Sequence, residues 1–152
     1  MKAQTFQYLT EWTAQFHTNL ADAMEKGRPQ QTDERAKWVL EYLIDHERTL
    51  AKEVEGFKDQ ADPKALETWL YEHLTETLPP DARTRDIDFG TMDFTAISNE
   101  VFDVHNQVIE VWESMVSKGA VPEAKELAQK IHDLEKNETL RLADQITSVQ
   151  QM

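Results

Sequence analysis

Four long stretches of this chain repeat apolar residues every three or four positions, and that pattern restricts the fold more than any other feature. The stretches cover residues 3–26, 33–58, 93–118 and 122–148. The 3–4 repeat places its apolar residues on one side of an α-helix, whereas a strand would need strict alternation. Breakers stand between them: Gly27-Arg28-Pro29, Asp62-Pro63, Pro79-Pro80 and Gly119 with Pro122. Gly27 is expected to stop the first helix, Thr32 to cap the second, and Asp62-Pro63 to restart the chain as a short helix over 63–77. Residues 81–92 read as loop.

Each long helix would contain roughly 24–27 residues and measure about 36–40 Å, so the four match in length and can pack side by side. The expectation is an all-α, single-domain protein over residues 1–152, a bundle of four long helices with a short extra helix in its central connection. Short links make the first and last pairs antiparallel hairpins. The connection between the pairs can run the length of the bundle and make the second and third long segments of the chain, 33–58 and 93–118, parallel, which is the ferritin-like connection. The alternative is that the short helix lies across one open end.

Composition fits a folded acidic protein. The 6 Phe, 4 Trp and 3 Tyr would be unusual in a disordered acidic chain. A net charge of −13, from 16 basic and 29 acidic residues, repels phosphate backbones and anionic lipid, so neither nucleic acid nor a membrane is expected as a partner. With no Cys, disulfides, thiol catalysis and thiolate metal sites are excluded together. No uninterrupted apolar run is present at the N-terminus, and a cytoplasmic location is expected.

The apolar stripes are interrupted near their middles by polar groups. On the second helix the stripe runs Ala36, Leu40, Leu43, Glu47, Leu50, Val54 and Phe57, so Glu47 has only apolar neighbours along it. His105 is the ionisable group in a wide face that includes Val101, Val104, Val108, Ile109 and Trp112. Glu135 and Glu138 interrupt the last helix between Ile131 and Leu142, and His17 follows Thr10 and Thr13 in the first. Counting along the helices from the turns, at about 1.5 Å per residue, His17, Glu47, His105 and Glu135 fall within one layer about 7 Å thick. Buried carboxylates need partners, either His⁺, hydroxyls and water or a metal ion. Glu47, His105, Glu135, Glu138 and His17 are therefore the candidate metal ligands, with iron or another divalent ion as the cofactor such a layer would hold; a hydrogen-bonded network without metal, or a small-ligand cavity, meets the same requirement. His73 and His132 read as packing or surface residues.

Four segments, LTEWTAQFHTNLADAM, YLIDHERTLAKEV, VHNQVIEVWESMV and IHDLEKNETLRLA, resemble the four helices of the ferritin-like superfamily, in particular its rubrerythrin-like branch. The resemblance implies a metal site built from Glu-x-x-His on two helices and one Glu on each of the others. This chain departs from it: Thr10 and His105 stand at the single-Glu positions, Leu43 and His46 (or His46 and Thr49) at the second-helix motif, and Glu138 replaces the last His. The resemblance thus implies either a rearranged metal site or a member that has lost it, rather than a di-iron oxidase, peroxidase or iron store. The His residues at 17, 46, 73, 105 and 132 lack the paired spacings of hemerythrin.

No phosphate loop or nucleophile elbow is present, and no catalytic residue is assigned. The expected protein is a non-catalytic bundle acting through protein contacts as a homodimer, with Trp38, off the main stripe of its helix, marking the interface. The other reading is a metal-binding bundle with a redox or stress-related role.

Overall fold

The computed structural model describes residues 5–69, 86–118 and 121–151. They form four long helices, α1 (Phe6–Gly27), α2 (Glu34–Gln60), α4 (Phe94–Lys118) and α5 (Pro122–Gln150), and one short helix, α3 (Pro63–Leu66). Turns of 3-10 helix occupy Arg28–Gln30 and Phe89–Thr91. Among the described residues the single strand-like feature is an isolated antiparallel bridge between Thr5 and Trp69. No helix among them is long and apolar enough to cross a membrane.

Local chemistry sets most helix starts. The Thr5 hydroxyl accepts from the Tyr8 amide, the Asp33 carboxylate from Ala36, Asp62 from Lys64 and Asp93 from Ala96. Each such cap satisfies an otherwise orphaned amide, worth about 1 kcal/mol. Asp33, not the expected Thr32, caps α2. α5 instead starts with Pro122 in its first turn and no side-chain cap.

Contacts between the helices fix their directions. Arg48 reaches Asp22 and Glu25 while Lys58 reaches Glu11, so α1 and α2 are antiparallel. The Arg35 guanidinium lies over the Phe94 ring and Glu47 meets His105, which makes α2 and α4 parallel. Arg35 also donates to the Val149 carbonyl, and His46 faces Glu138, so α5 runs against α2. The connection between the hairpins accordingly leaves at one end of the bundle, where the Phe6 amide donates to the Thr68 carbonyl, and arrives at the other, where Gln31 donates to the carbonyls of Phe89 and Met92.

The stripes read from the sequence form the core: Leu9, Phe16, Leu20 and Met24 on α1, Leu40, Leu43 and Val54 on α2, Ile97, Val108 and Trp112 on α4, and Ile131 and Leu142 on α5. Two buried hydroxyls on α1 are satisfied on their own helix. Thr10 and Thr13 donate to the carbonyls of Phe6 and Leu9, and the Thr13 oxygen accepts from the Trp112 indole at 3.0 Å.

One expectation changes here. α3 ends at Leu66 rather than continuing to 77: Thr68 pairs its carbonyl with α1, and Trp69 bridges Thr5. Residues 70–85, including His73 and Pro79-Pro80, lie outside the described residues. Trp69 is exposed, unlike the buried Trp12 and Trp112. Gly27 ends α1 but is not a left-handed cap, since its φ is −79° and the chain runs on into the 3-10 turn. Its value is lack of bulk. A Cβ there would lie 2.6 Å from the Gly90 amide nitrogen and 3.0 Å from the Phe89 carbonyl carbon. Because backbone blocks that space, Gly27→Ala should destabilise the protein by roughly 1–3 kcal/mol, as overpacking does. Urea unfolding measures it, and an unchanged midpoint would show that the 86–92 segment does not dock on α1 as described.

Candidate metal centre

Four ionisable side chains, one from each long helix, meet at the middle of the bundle: His17 (α1), Glu47 (α2), His105 (α4) and Glu135 (α5). His17, Glu47 and His105 are fully buried and Glu135 is 1% exposed. Among the residues one turn away on the inward faces, Leu43 and Leu50, Val101 and Val108, and Ile131 are buried and apolar, while Thr13 is buried and polar. The Phe16 ring stands edge-on to His17.

His17 is the hub. Its Nδ1 lies 2.8 Å from Glu47 Oε1, and its Nε2 lies 2.8 Å and 3.0 Å from the two Glu135 oxygens. Ionised carboxylates only accept hydrogen bonds, so both ring nitrogens donate and the ring is an imidazolium. Glu47 is shared. Its Oε1 and Oε2 also accept from His105 Nε2, at 2.8 and 2.9 Å. The other nitrogen of His105 lies 3.3 Å from the Thr139 hydroxyl, which itself donates to the Glu135 carbonyl.

The electrostatics follow from this geometry. Burial alone would push the His17 imidazole down; the charges of Glu135 and then Glu47, with their hydrogen bonds, outweigh it and hold the pKa up to about 10. Burial would likewise raise the Glu47 carboxyl, but His105 and His17 hold it well below the usual carboxylate range.

Of the five candidate ligands, four converge. Glu138 does not join them: it lies at the rim, bonded to Arg141 at 3.4 Å and 3.9 Å from His46. Ligand atoms of His17, Glu47 and His105 all lie within 4.8 Å of one another, close enough for three donors around one ion at bond lengths of about 2.0–2.2 Å. His132 is a surface residue paired with Asp133. Two participants were not singled out as ligands. Thr139 follows Glu135 by one turn, and His46 lies beside the centre with its ring 6.3 Å from that of His105. His46 Nε2 is buried without a hydrogen-bond partner among the described residues, and burial pushes its pKa down. The signal for both was adjacency, His46 preceding Glu47 and Thr139 following Glu138.

No family model, curated protein or solved structure matches the chain.

The sign of the pH dependence follows for metal-free protein. Glu47 is depressed, so its contribution is present above its ordinary 4.5 and is lost as pH falls below that. His17 is raised, so its contribution is complete below 6.5 and is lost as pH climbs from there through about 10. Melting temperature measured with chelator present should peak between pH 4.5 and 6.5 and decline from 6.5 to 10. His17→Gln should flatten the alkaline decline, and a wild-type Tm that rises there would contradict the bridging imidazolium.

Proposed function

We propose that this chain is a ferritin-like bundle whose central layer binds a first-row divalent metal ion through His17, Glu47 and His105, with Glu135 as a second carboxylate. The observation carrying the reading is the convergence of one ionisable side chain from every long helix within a largely apolar core. Apolar residues of similar size would stabilise such a position as well or better, so burying four ionisable groups together calls for a role beyond stability. The parallel course of α2 and α4, with the connection passing from one end of the bundle to the other, supports the ferritin-like part of the reading.

The donors suit such an ion. Two imidazoles and two carboxylates are ligands that iron, manganese, cobalt and zinc accept. His17 must change state to serve, because both of its nitrogens carry protons in the hydrogen-bonded arrangement. Binding therefore releases a proton, and the carboxylates that hold the imidazolium become available to the metal. When bound, the ion would supply Lewis acidity and, for iron or manganese, one-electron redox chemistry. The residues of this chain neutralise its charge, exclude bulk water with the surrounding apolar turns, and fix His105 through Thr139.

Chelator-treated protein titrated with Fe(II), Mn(II), Co(II) or Zn(II) should take up metal and melt at higher temperature, gaining about 2.7 kcal/mol at a free ion concentration 100 times Kd. Affinity should rise between pH 6.5 and 10, opposite to the trend in metal-free stability, because His17 loses its proton there. Glu47→Leu and His105→Leu should each abolish uptake. A wild-type protein that binds none of the four ions sinks the reading.

The second reading, a non-catalytic bundle acting as a homodimer, is favoured by one feature. Trp38 is 39% exposed on α2 and lines a surface hollow with Arg35 and Val149. Sedimentation at tens of micromolar, about the range for a weak specific interface, should show a dimer that Trp38→Ala dissociates. A strict monomer would exclude it.

A further inference from the structure

Three rings on α2, spaced one turn apart, are stacked in sequence from the surface toward the central layer. Trp38, partly exposed, lies on Tyr42 with ring centroids 5.5 Å apart and planes 10° from parallel. Tyr42 lies on His46 at 6.2 Å and 17°. His46 in turn faces His105 at 6.3 Å and 31°, and His105 is hydrogen-bonded to Glu47. The i, i+4, i+8 spacing explains why the three residues share a face of the helix. It does not require that two oxidisable rings, indole and phenol, be stacked near-parallel in line with a buried His/Glu centre. Leu or Lys at these positions would serve an ordinary rim equally well.

We propose that Trp38, Tyr42 and His46 form a one-electron path between the protein surface and the central site. The inner limb of this path rests on the metal-binding reading; the outer limb, Trp38 to Tyr42, does not. Electron tunnelling weakens exponentially with distance, and here no gap between ring centroids exceeds 6.3 Å. An external one-electron oxidant takes an electron from the Trp38 indole, leaving its radical cation. Tyr42 then gives one electron to that indole and its phenolic proton to water, to which the half-buried residue is open. The indole is restored and a neutral phenoxyl remains. One electron arriving from a reduced ion in the centre, through His105 and His46, together with one proton from water, returns the phenoxyl to phenol. The net change is one electron moved from the centre to the external oxidant, with no proton gained or lost. His46 carries no radical itself but fills the space between Tyr42 and His105. The outer end suits a brief encounter, since electron-transfer partners commonly meet over small patches.

The experiment uses the full chain, metal-free, photo-oxidised with tris(bipyridine)ruthenium and a sacrificial cobalt(III) acceptor. Trp69 is 68% exposed and would compete as an oxidation site, so Trp69→Phe is the background. In that background transient absorption should show an indolyl radical giving way to a tyrosyl radical. Adding Trp38→Phe should remove the fast phase, and adding Tyr42→Phe should leave the indolyl radical long-lived with no tyrosyl signal. A tyrosyl signal that persists with Tyr42→Phe, or an indolyl decay that the substitution does not change, overturns the outer limb. Circular dichroism of each variant shows whether it is folded, and both substitutions are at partly exposed positions that keep an aromatic ring.

The inner limb is read with Fe(II) bound, using photogenerated tris(bipyridine)ruthenium(III), a cationic oxidant strong enough to oxidise an indole and one that the acidic protein does not repel. Trp38→Phe and Tyr42→Phe should slow iron oxidation while leaving iron uptake unchanged. Equal rates with iron bound overturn the inner limb alone. Failure of the wild type to take up iron overturns the central reading, and the inner limb with it, while the photo-oxidation result still decides the outer limb.

Discussion

The hydrogen bonds from one imidazolium to two carboxylates govern how these helices can be arranged. His17 on α1 reaches Glu47 on α2 and Glu135 on α5, while Glu47 reaches His105 on α4. None of the four groups could be buried in this core alone without a heavy desolvation penalty, so the layer is tolerable only when assembled. Two carboxylates also set the composition of the rest: the cation between them must be a protonated ring or a metal ion. The same arithmetic explains why His17, normally half-protonated near neutrality, is held fully protonated when no metal competes.

Such a layer also specifies register, which the apolar stripes do poorly. Leu, Val and Ile repeat along every helix, and sliding one helix by a turn would still bury apolar surface against apolar surface. It would also carry a Glu away from its His. Thr13 adds a second constraint of this kind one turn from His17, because its oxygen accepts the Trp112 indole. A polar group buried at a single level is the best-attested way to fix helix alignment. Here one layer does so for all four helices, including the parallel pair α2 and α4 that no short loop joins.

Much of this arrangement was legible in the sequence, and the parts that were not share a cause. Periodicity gave the four long helices, and the apolar neighbours of Glu47 and His105 marked them as inward-facing. Counting residues from the turns then put His17, Glu47, His105 and Glu135 at one depth, where the structure places them together. Periodicity does not separate residues three apart on one stripe, however. Glu135 and Glu138 are three residues apart on one stripe, yet Glu135 enters the layer and Glu138 stays at the rim with Arg141. Thr10 was read as part of the polar stripe but returns its hydroxyl to its own helix at Phe6. The 63–77 helix was overestimated because composition cannot reveal the pairing of Thr68 with Phe6 or of Trp69 with Thr5. Gly27 marks the end of α1 as its place in the sequence predicts, but the close approach of Gly90 depends on a segment more than sixty residues later in the chain.

The environment of the centre is not the same on every side. Toward α1 the packing is apolar, with Phe16 against His17. Toward the seam between α2 and α5 it is polar and graded. His46 lies beside His105 with a buried nitrogen that has no partner among the described residues, Glu138 stands beyond it only 16% exposed, and Tyr42 covers the outer side of His46. Farther out, Glu53 has its carboxyl pushed up, first by partial burial and then by the charge of Glu138. A layer whose only task was to hold four helices in register would be sealed equally well on all sides, since each unpaired polar atom at its edge costs stability. Leaving the α2–α5 side polar makes sense if protons, ions or electrons must pass between the centre and solvent there. That asymmetry, more than the presence of His and Glu in the core, is what supports the proposed metal-binding reading over a purely structural layer.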